Sequence, residues 1–286
     1  MNPIVFHIIS GQAFFTGSVL VMLAAWLSTR ESRVAKRVMV LVFLLGMIAI
    51  VVSSTSMPYW FYGCAGVITL VWISSCFVKK WRRWSAYAVI GVWAIAIGLE
   101  APYHLTPTIK PVASRSMTVI GDSVTAGLGG GDKAETWPQI LARKHDLQVQ
   151  DISHVGDTVS AALKRVQKAP VVSPIVLLAI GGNDILGSTT TEQFAKSLEA
   201  LLAELSAPDR QLIMLELPLP PFYHEYGRTQ RNLAQKYDVA LVPKRVFLSI
   251  IARGESTLDS IHLSEAGHQT MAEVVWGLVM PAYATD

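Results

Sequence analysis

Four apolar stretches, Ile4 to Leu27, Val38 to about Ser56, Trp60 to Val78 and Ser85 to Ala101, fill the first hundred residues, which contain no aspartate. Each is close to the roughly 17–25 residues that a helix needs to cross a bilayer. Apart from Glu100, next to the end of the fourth, the stretches carry no charge, and they are punctuated by basic clusters, which favours spanning helices over the buried helices of a soluble core. The rest of the chain differs in kind. Residues 1–100 hold eight Lys/Arg and two Glu, whereas residues 101–286 hold sixteen Lys/Arg against nineteen Asp/Glu. The hydrophobic content of 51% is therefore an average over an all-α transmembrane bundle and a polar domain. The excess positive charge belongs to the short loops of the membrane part. A nucleic-acid binder would carry it on the folded domain, so no nucleic-acid partner is expected.

The basic clusters also give an orientation. Arg30, Arg33, Lys36 and Arg37 follow the first stretch, and Lys79, Lys80, Arg82 and Arg83 follow the third. Short Lys/Arg-rich loops stay cytoplasmic. Both termini, and everything after the fourth span, are then expected outside: periplasmic or extracellular on a bacterial inner (cytoplasmic) membrane. Met1-Asn2-Pro3 lacks the positive start of a signal peptide and three more stretches follow, so the first stretch is read as a span. Within it, His7 falls near the outer interface, and Gln12 is expected to hydrogen-bond a neighbouring helix. Tyr59, Trp60, Tyr62, Trp81, Trp84 and Tyr103 gather at the expected membrane boundaries, as interface-seeking rings do. Cys64 and Cys76 stand about 18 Å apart if helical, too far for a disulfide. Pro102, Pro107 and Pro111 mark a semi-extended linker of at most about 45 Å. The expected division is a membrane region over 1–101 (helices near 4–27, 38–56, 60–78 and 85–101), a linker over 102–115, and a catalytic domain over 116–286.

In that domain, short β-rich runs alternate with amphipathic ones. Strands are predicted at Met117–Ile120, Leu147–Ile152, Ile175–Ile180, Leu212–Leu217 and Val239–Val242. Helices are predicted at Thr136–His145, Val159–Gln167, Thr191–Leu205, Tyr226–Tyr237 and Ser264–Val279. This alternation predicts an α/β fold, a five-stranded parallel sheet with helices on both faces. Such sheets collect reactive groups at the carboxyl ends of their strands. Asp122 and Ser123 follow the first strand, Gly156 and Asp157 come shortly after the second, and Gly181-Gly182-Asn183-Asp184 follows the third.

A serine nucleophile needs an adjacent base that is itself oriented by a third group. Ser123, His262 and Asp259 supply these types, with the acid three residues before the imidazole in Asp259-Ser260-Ile261-His262. Acyl transfer also needs donors aimed at the developing oxyanion. The backbone N–H groups of Ser123 and Gly156 and the side-chain amide of Asn183 are the candidates.

Gly121-Asp122-Ser123, Gly156, Gly181-Gly182-Asn183-Asp184 and Asp259-Ser260-Ile261-His262 together resemble, in order and spacing, the four motifs of the SGNH (GDSL-type) hydrolase family. The resemblance runs from about Ser116 to Pro281. It is greatest to the bacterial thioesterase I/lysophospholipase L1 and arylesterase group, through Gly121 to Gly127, Gly156-Asp157-Thr158 and Leu241-Val242-Pro243. It implies a three-layer, flavodoxin-like α/β/α domain in which Ser123 is the nucleophile, His262 the base and Asp259 its orienter. Ser123, Gly156 and Asn183 would form the oxyanion hole, with no cofactor and no metal. Ser153 stands where the family often carries an asparagine.

The α/β-hydrolase reading fails on the G-x-S-x-G elbow, since Thr125 occupies the last place. A dinucleotide fingerprint through Gly129, Gly131 and Ala134, with Asp151 downstream, starts about eight residues past the strand instead of directly after it. His145 and His224 are read as helix-surface residues, His104 as linker, His154 as a solvated loop residue and His268 as packing. Asp122, Asp157 and Asp184 are read as braces. The expected activity is hydrolysis of acyl esters or thioesters, lipid-derived ones included, by an enzyme tethered to the bilayer. Acyl transfer or deacetylation on an envelope polysaccharide is the second expectation, and a non-catalytic partner-binding module the third.

Overall fold

The computed structural model describes residues 1–78, 81–127, 135–253, 256–258 and 262–283. The chain divides into two compact units, Asn2–His104 with Leu219–His224, and Leu105–Pro218 with Glu225–Asp286.

The first unit consists of α1 (Pro3–Ile9), α2 (Gln12–Ser28), α3 (Arg33–Val52), α4 (Tyr59–Ser75) and α5 (Arg82–Glu100), closed by a 3-10 turn over Ala101–His104. Many of its large apolar side chains point outward: Leu41, Leu44, Ile48, Leu70, Val71 and Ile95 are all exposed. Inside, small and polar groups pack with Phe14, Phe61, Trp72 and Trp93. A Cβ on Gly17 would lie 2.6 Å from the Gly46 carbonyl oxygen, so α2 and α3 meet backbone to backbone. Trp72 Nε1 donates to Ser28 Oγ at 3.0 Å and Trp93 Nε1 to Thr69 Oγ1 at 3.2 Å. Small residues at crossings and hydrogen bonds between helices are how helices associate where the surroundings are as apolar as leucine. Among the described residues, Arg33–Val52 and Arg82–His104 are long and apolar enough to cross a membrane; α4, at 17 residues, is shorter.

The first stretch departs from its expected form. Instead of one helix from Ile4 to Leu27, α1 and α2 meet at 85°. Gly11 takes the left-handed conformation (φ +84°) that only glycine adopts without strain. The buried run Ser53-Ser54-Thr55-Ser56 supplies replacement partners: Ser54 N–H donates to the Ile8 carbonyl at 3.1 Å, and the Ser53 and Thr55 hydroxyls reach the Gly11 carbonyl at 3.4 Å. The Gln12 side chain lies 3.3 Å from His7 of α1. His104, expected in the linker, belongs to this unit and lies 3.5 Å from the fully buried Glu100.

The second unit is a parallel sheet of β1 (Ser116–Gly121), β2 (Gln148–Asp151), β3 (Ile175–Ala179), β4 (Gln211–Leu215) and β5 (Ala240–Val242), in the order β2-β1-β3-β4-β5. Between and after the strands come α6 (Ser123–Ala126), α7 (Trp137–His145), α8 (Val159–Val166), α9 (Gly182–Leu186), α10 (Thr191–Leu205), α11 (His224–Lys236), α12 (Lys244–Ile251) and α13 (Glu265–Tyr283). The inner strands read as continuous apolar runs because both faces are covered. Met117, Val119, Ile175, Leu177 and Ile213 pack under α7, α12 and α13. By the two-residue period, Thr118, Ile120, Val176 and Leu178 face the other layer, where α8 packs on α10. β2, with the sequence Gln-Val-Gln-Asp, is a polar edge. This is the three-layer α/β/α arrangement that the alternation predicts. Helix α12 lies where no helix is predicted. Residues 109–112 also pack here: Ile109 joins the core, and Val112 N–H donates to the Ala282 carbonyl at 2.9 Å.

Candidate active site

The strand order reverses at β1 and β3, and in such sheets the crevice outside the carboxyl ends of those two strands is where ligands bind. Ser123 follows β1 there, and Asn183 follows β3. Ser123 opens the single turn α6, capped by Asp122, whose Oδ1 accepts the Val124 N–H at 3.1 Å. The turn is tight. A Cβ on Gly121 would lie 2.3 Å from Thr125 Oγ1, so glycine at the strand end is what lets the chain fold back over itself.

His262 arrives from a small hairpin. Thr257 and Leu263 form an antiparallel bridge, Leu258 N–H donates to the His262 carbonyl at 2.8 Å, and Ser264 N–H donates to the Ser256 carbonyl at 3.0 Å. This brings His262 Nε2 to 3.1 Å from Ser123 Oγ, two groups 139 residues apart in the chain. That distance is within reach for proton transfer between a nucleophile and its base. Asp259 lies outside the described residues, as does the glycine run at 129–131.

The loop after β2 is pinned to β1 by His154 N–H donating to the Gly121 carbonyl at 3.1 Å. Gly156 has φ +79°, and open space surrounds the position a Cβ would take. Glycine is favoured there for its backbone conformation, not for lack of space. Asn183 Nδ2 donates to the Asp157 carbonyl at 3.0 Å, tying this loop to the one after β3. A primary amide has two N–H groups, so this bond leaves one for another acceptor. Asp184 Oδ2 accepts the Val159 N–H at 2.9 Å, and Asp157 Oδ2 is held by Arg165 Nε at 2.6 Å, so both carboxylates brace loops.

Arg165 was not singled out from the sequence. Its only signal is its place on α8, two turns beyond the helix cap at Thr158, which shows its partner only once the loop is folded. Burial pushes the Asp122 carboxyl up to about 6, against the opposing pull of the Val124 N–H and of His262. His268 is buried, which lowers its pKa, and its Nδ1 accepts the Trp137 N–H at 3.3 Å. His145 stacks on Trp276 with ring centres 3.9 Å apart.

The profile of the GDSL-like Lipase/Acylhydrolase family matches residues 119–270, so the helices α1 to α5 lie outside the match. Esterase TesA of Pseudomonas aeruginosa is 28% identical over 200 residues, which cover 65% of this chain and 98% of the relative. Thioesterase 1/protease 1/lysophospholipase L1 of Escherichia coli (strain K12) is 28% identical over 148 residues, 48% of this chain and 69% of that protein. The crystal structure of TesA superposes with a TM-score of 0.51 at 27% identity, covering 58% of this chain and 99% of TesA. The psychrotrophic esterase EstA from Pseudoalteromonas sp. shares the fold, with a TM-score of 0.52 at 19% identity over 58% of this chain and 97% of EstA. The chain belongs to the GDSL-like lipase/acylhydrolase family, and with it to the serine ester hydrolases.

Proposed function

We propose that the chain is a membrane-tethered hydrolase of acyl esters or thioesters that works through an acyl-enzyme on Ser123. The approach of His262 Nε2 to Ser123 Oγ at 3.1 Å carries this reading. Ser123 Oγ attacks the substrate carbonyl carbon while His262 Nε2 takes the hydroxyl proton. The carbonyl oxygen gains a negative charge, which the N–H groups of Ser123 and Gly156 and the second amide N–H of Asn183 stabilise. Each donor of this kind is worth roughly 3–4 kcal/mol to the transition state. The tetrahedral carbon then expels the alcohol or thiol, protonated by His262. Water, deprotonated by the same imidazole, releases the acid and restores Ser123. Asp259 is proposed to hold the Nδ1 side of His262, on the strength of the D-x-x-H spacing.

Lipid-derived substrates are proposed because apolar helices precede the hydrolase unit, and because the relatives' names include a lysophospholipase. The helical unit is proposed to span a bacterial inner membrane with the hydrolase outside, which the two basic clusters, Arg30 to Arg37 and Lys79 to Arg83, support. A fluorophosphonate probe should label the wild-type chain and neither Ser123→Ala nor His262→Ala. Failure to label folded wild-type protein would overturn the esterase reading. Protease added to intact spheroplasts should cut near Pro107, and protection there would overturn the topology.

A further inference from the structure

Ser123 and His262 are 139 residues apart in the chain, so their 3.1 Å approach is held by contacts between the elements that carry them. His268, the fourth residue of α13, takes no part in the proposed reaction, yet it is only 4% exposed and touches both sides of that approach. On the nucleophile side its Nδ1 accepts the Trp137 N–H at 3.3 Å, and a Cβ on Gly127 would lie 3.8 Å from its Nε2. Gly127 closes the α6 turn, its N–H donating to the Ser123 carbonyl at 3.0 Å. On the base side the His268 N–H donates to the Ser264 carbonyl at 2.8 Å, and the Ser264 N–H donates to the Ser256 carbonyl at 3.0 Å across the hairpin that presents His262. The neighbouring Gly267 backs onto the same hairpin, where a Cβ would meet Leu263 at 3.2 Å. These contacts close a ring from Ser123 through Gly127, His268, Ser264 and the hairpin to His262, and back to Ser123.

We propose that His268 is a positioning residue, a neutral imidazole whose Nδ1 holds the head of α7 against α13 and thereby fixes the spacing of Ser123 and His262; this rests on the ester-hydrolase reading above. Trp137 is the first residue of α7, and the N–H groups of a helix's first turn have no partner within the helix. Because Trp137 is fully buried, its N–H needs an acceptor from the protein. A backbone N–H can only donate, so Nδ1 of His268 is the unprotonated ring nitrogen and Nε2 carries the proton. An imidazolium would point a second N–H at Trp137 and lose the bond. Burial favours the neutral form that the bond requires. A residue that merely filled this space would need no acceptor at the δ position. Here the acceptor is specified, and it lies in the ring of contacts that sets how far the base stands from the nucleophile.

The test uses the full chain in detergent micelles, with a water-soluble short-chain nitrophenyl ester and fluorophosphonate labelling of Ser123. His268→Leu fills the space and removes the acceptor; it should lower kcat about tenfold, leave KM within about twofold of wild type and slow labelling in parallel. His268→Asn places Oδ1 where Nδ1 stands and should return kcat to within about threefold of wild type. Such a rescue is the reverse of what space-filling alone predicts, since asparagine fills the site less well than leucine. A folded His268→Leu with unaltered kcat, or a His268→Asn as slow as His268→Leu, overturns the proposal. Wild-type protein that neither labels nor hydrolyses the ester overturns the hydrolase reading, and the positioning role falls with it. If His268→Leu does not fold, nuclear magnetic resonance of the wild-type chain, labelled at the histidine ring nitrogens, carries the test. The signal that disappears in His268→Asn should report an unprotonated Nδ1 and a protonated Nε2, and a protonated Nδ1 there overturns the proposal.

Discussion

Gly267 is the third residue of α13, a position where alanine would ordinarily add up to about 1 kcal/mol of helix stability. Here the structure predicts the reverse. A Cβ at Gly267 would stand 2.0 Å from the Ser256 carbonyl oxygen, 2.9 Å from its carbonyl carbon and 3.2 Å from Leu263 Cβ. Relief to ordinary contact needs an outward shift of Ser256 by more than about 1 Å, given optimal separations near 3.5 Å between non-bonded heavy atoms. Overpacking of this sort costs about 1–3 kcal/mol, so the net destabilisation after the helical gain is about 0–2 kcal/mol. For a unit of this size that lowers Tm by no more than about 8 °C. The catalytic effect should be far larger. Ser256 and Ser264 close the hairpin that presents His262, and a displacement of about 1 Å at a reacting group can cost on the order of 100-fold in rate. Gly267→Ala should therefore lower kcat/KM for a soluble ester by roughly 10- to 100-fold, slow fluorophosphonate labelling in parallel, and leave a cooperative melt. A variant with a raised Tm and kcat/KM within twofold of wild type would refute the packing of α13 against the hairpin.

Two further outcomes test the braces. The folded chain holds the Asp122 proton to about pH 6, whereas the unfolded chain releases it near 3.9, so this group's contribution to stability falls as pH rises from about 4 to 6. Asp122→Asn keeps an acceptor for the Val124 N–H and removes that slope; its Tm should match wild type near pH 4 and exceed it above pH 6.5, and parallel curves would contradict the burial argument. Arg165→Met leaves Asp157 without the 2.6 Å guanidinium bond, and since Arg165 is partly exposed the expected loss is about 1 kcal/mol, a roughly fivefold drop in kcat with KM within twofold. Recovery by Arg165→Lys of at least half that loss, or an unchanged kcat in Arg165→Met, is read directly from ester-hydrolysis kinetics; only the second would remove Arg165 from the positioning of the Gly156 loop.

Much of this architecture was legible because local signals and tertiary placement agree. Continuous apolar runs such as Ile175–Ala179 become buried parallel strands, and polar turns follow them at the sheet's carboxyl edge. The features that escaped the sequence depend on partners distant in the chain. Lys244–Ile251, rich in β-branched and aromatic residues, carries no clear helical signal, yet it forms a helix that buries Leu248 and Ile250. The Glu216 carboxylate, flanked by apolar residues at the end of β4, gives no hint that Arg231 will lie 2.8 Å away and equally buried. Arg165 is silent for the same reason. The Asp259–His262 spacing was readable from the residues alone, while the 3.1 Å meeting of His262 with Ser123 depends on how the hairpin closes over α13.

The elbow at Gly11 bears on the order in which the protein can be assembled. The hydroxyls that reach the carbonyls of Ile9 and Gly11 belong to Ser53, Ser54 and Thr55, 42 to 45 residues farther along the chain. When α1 and α2 are being synthesised, those partners do not yet exist. In an apolar medium a backbone carbonyl without a partner costs several kcal/mol. The bend is therefore completed only after α3 has been made, so the first part of the chain to be synthesised is not the first to reach its final form.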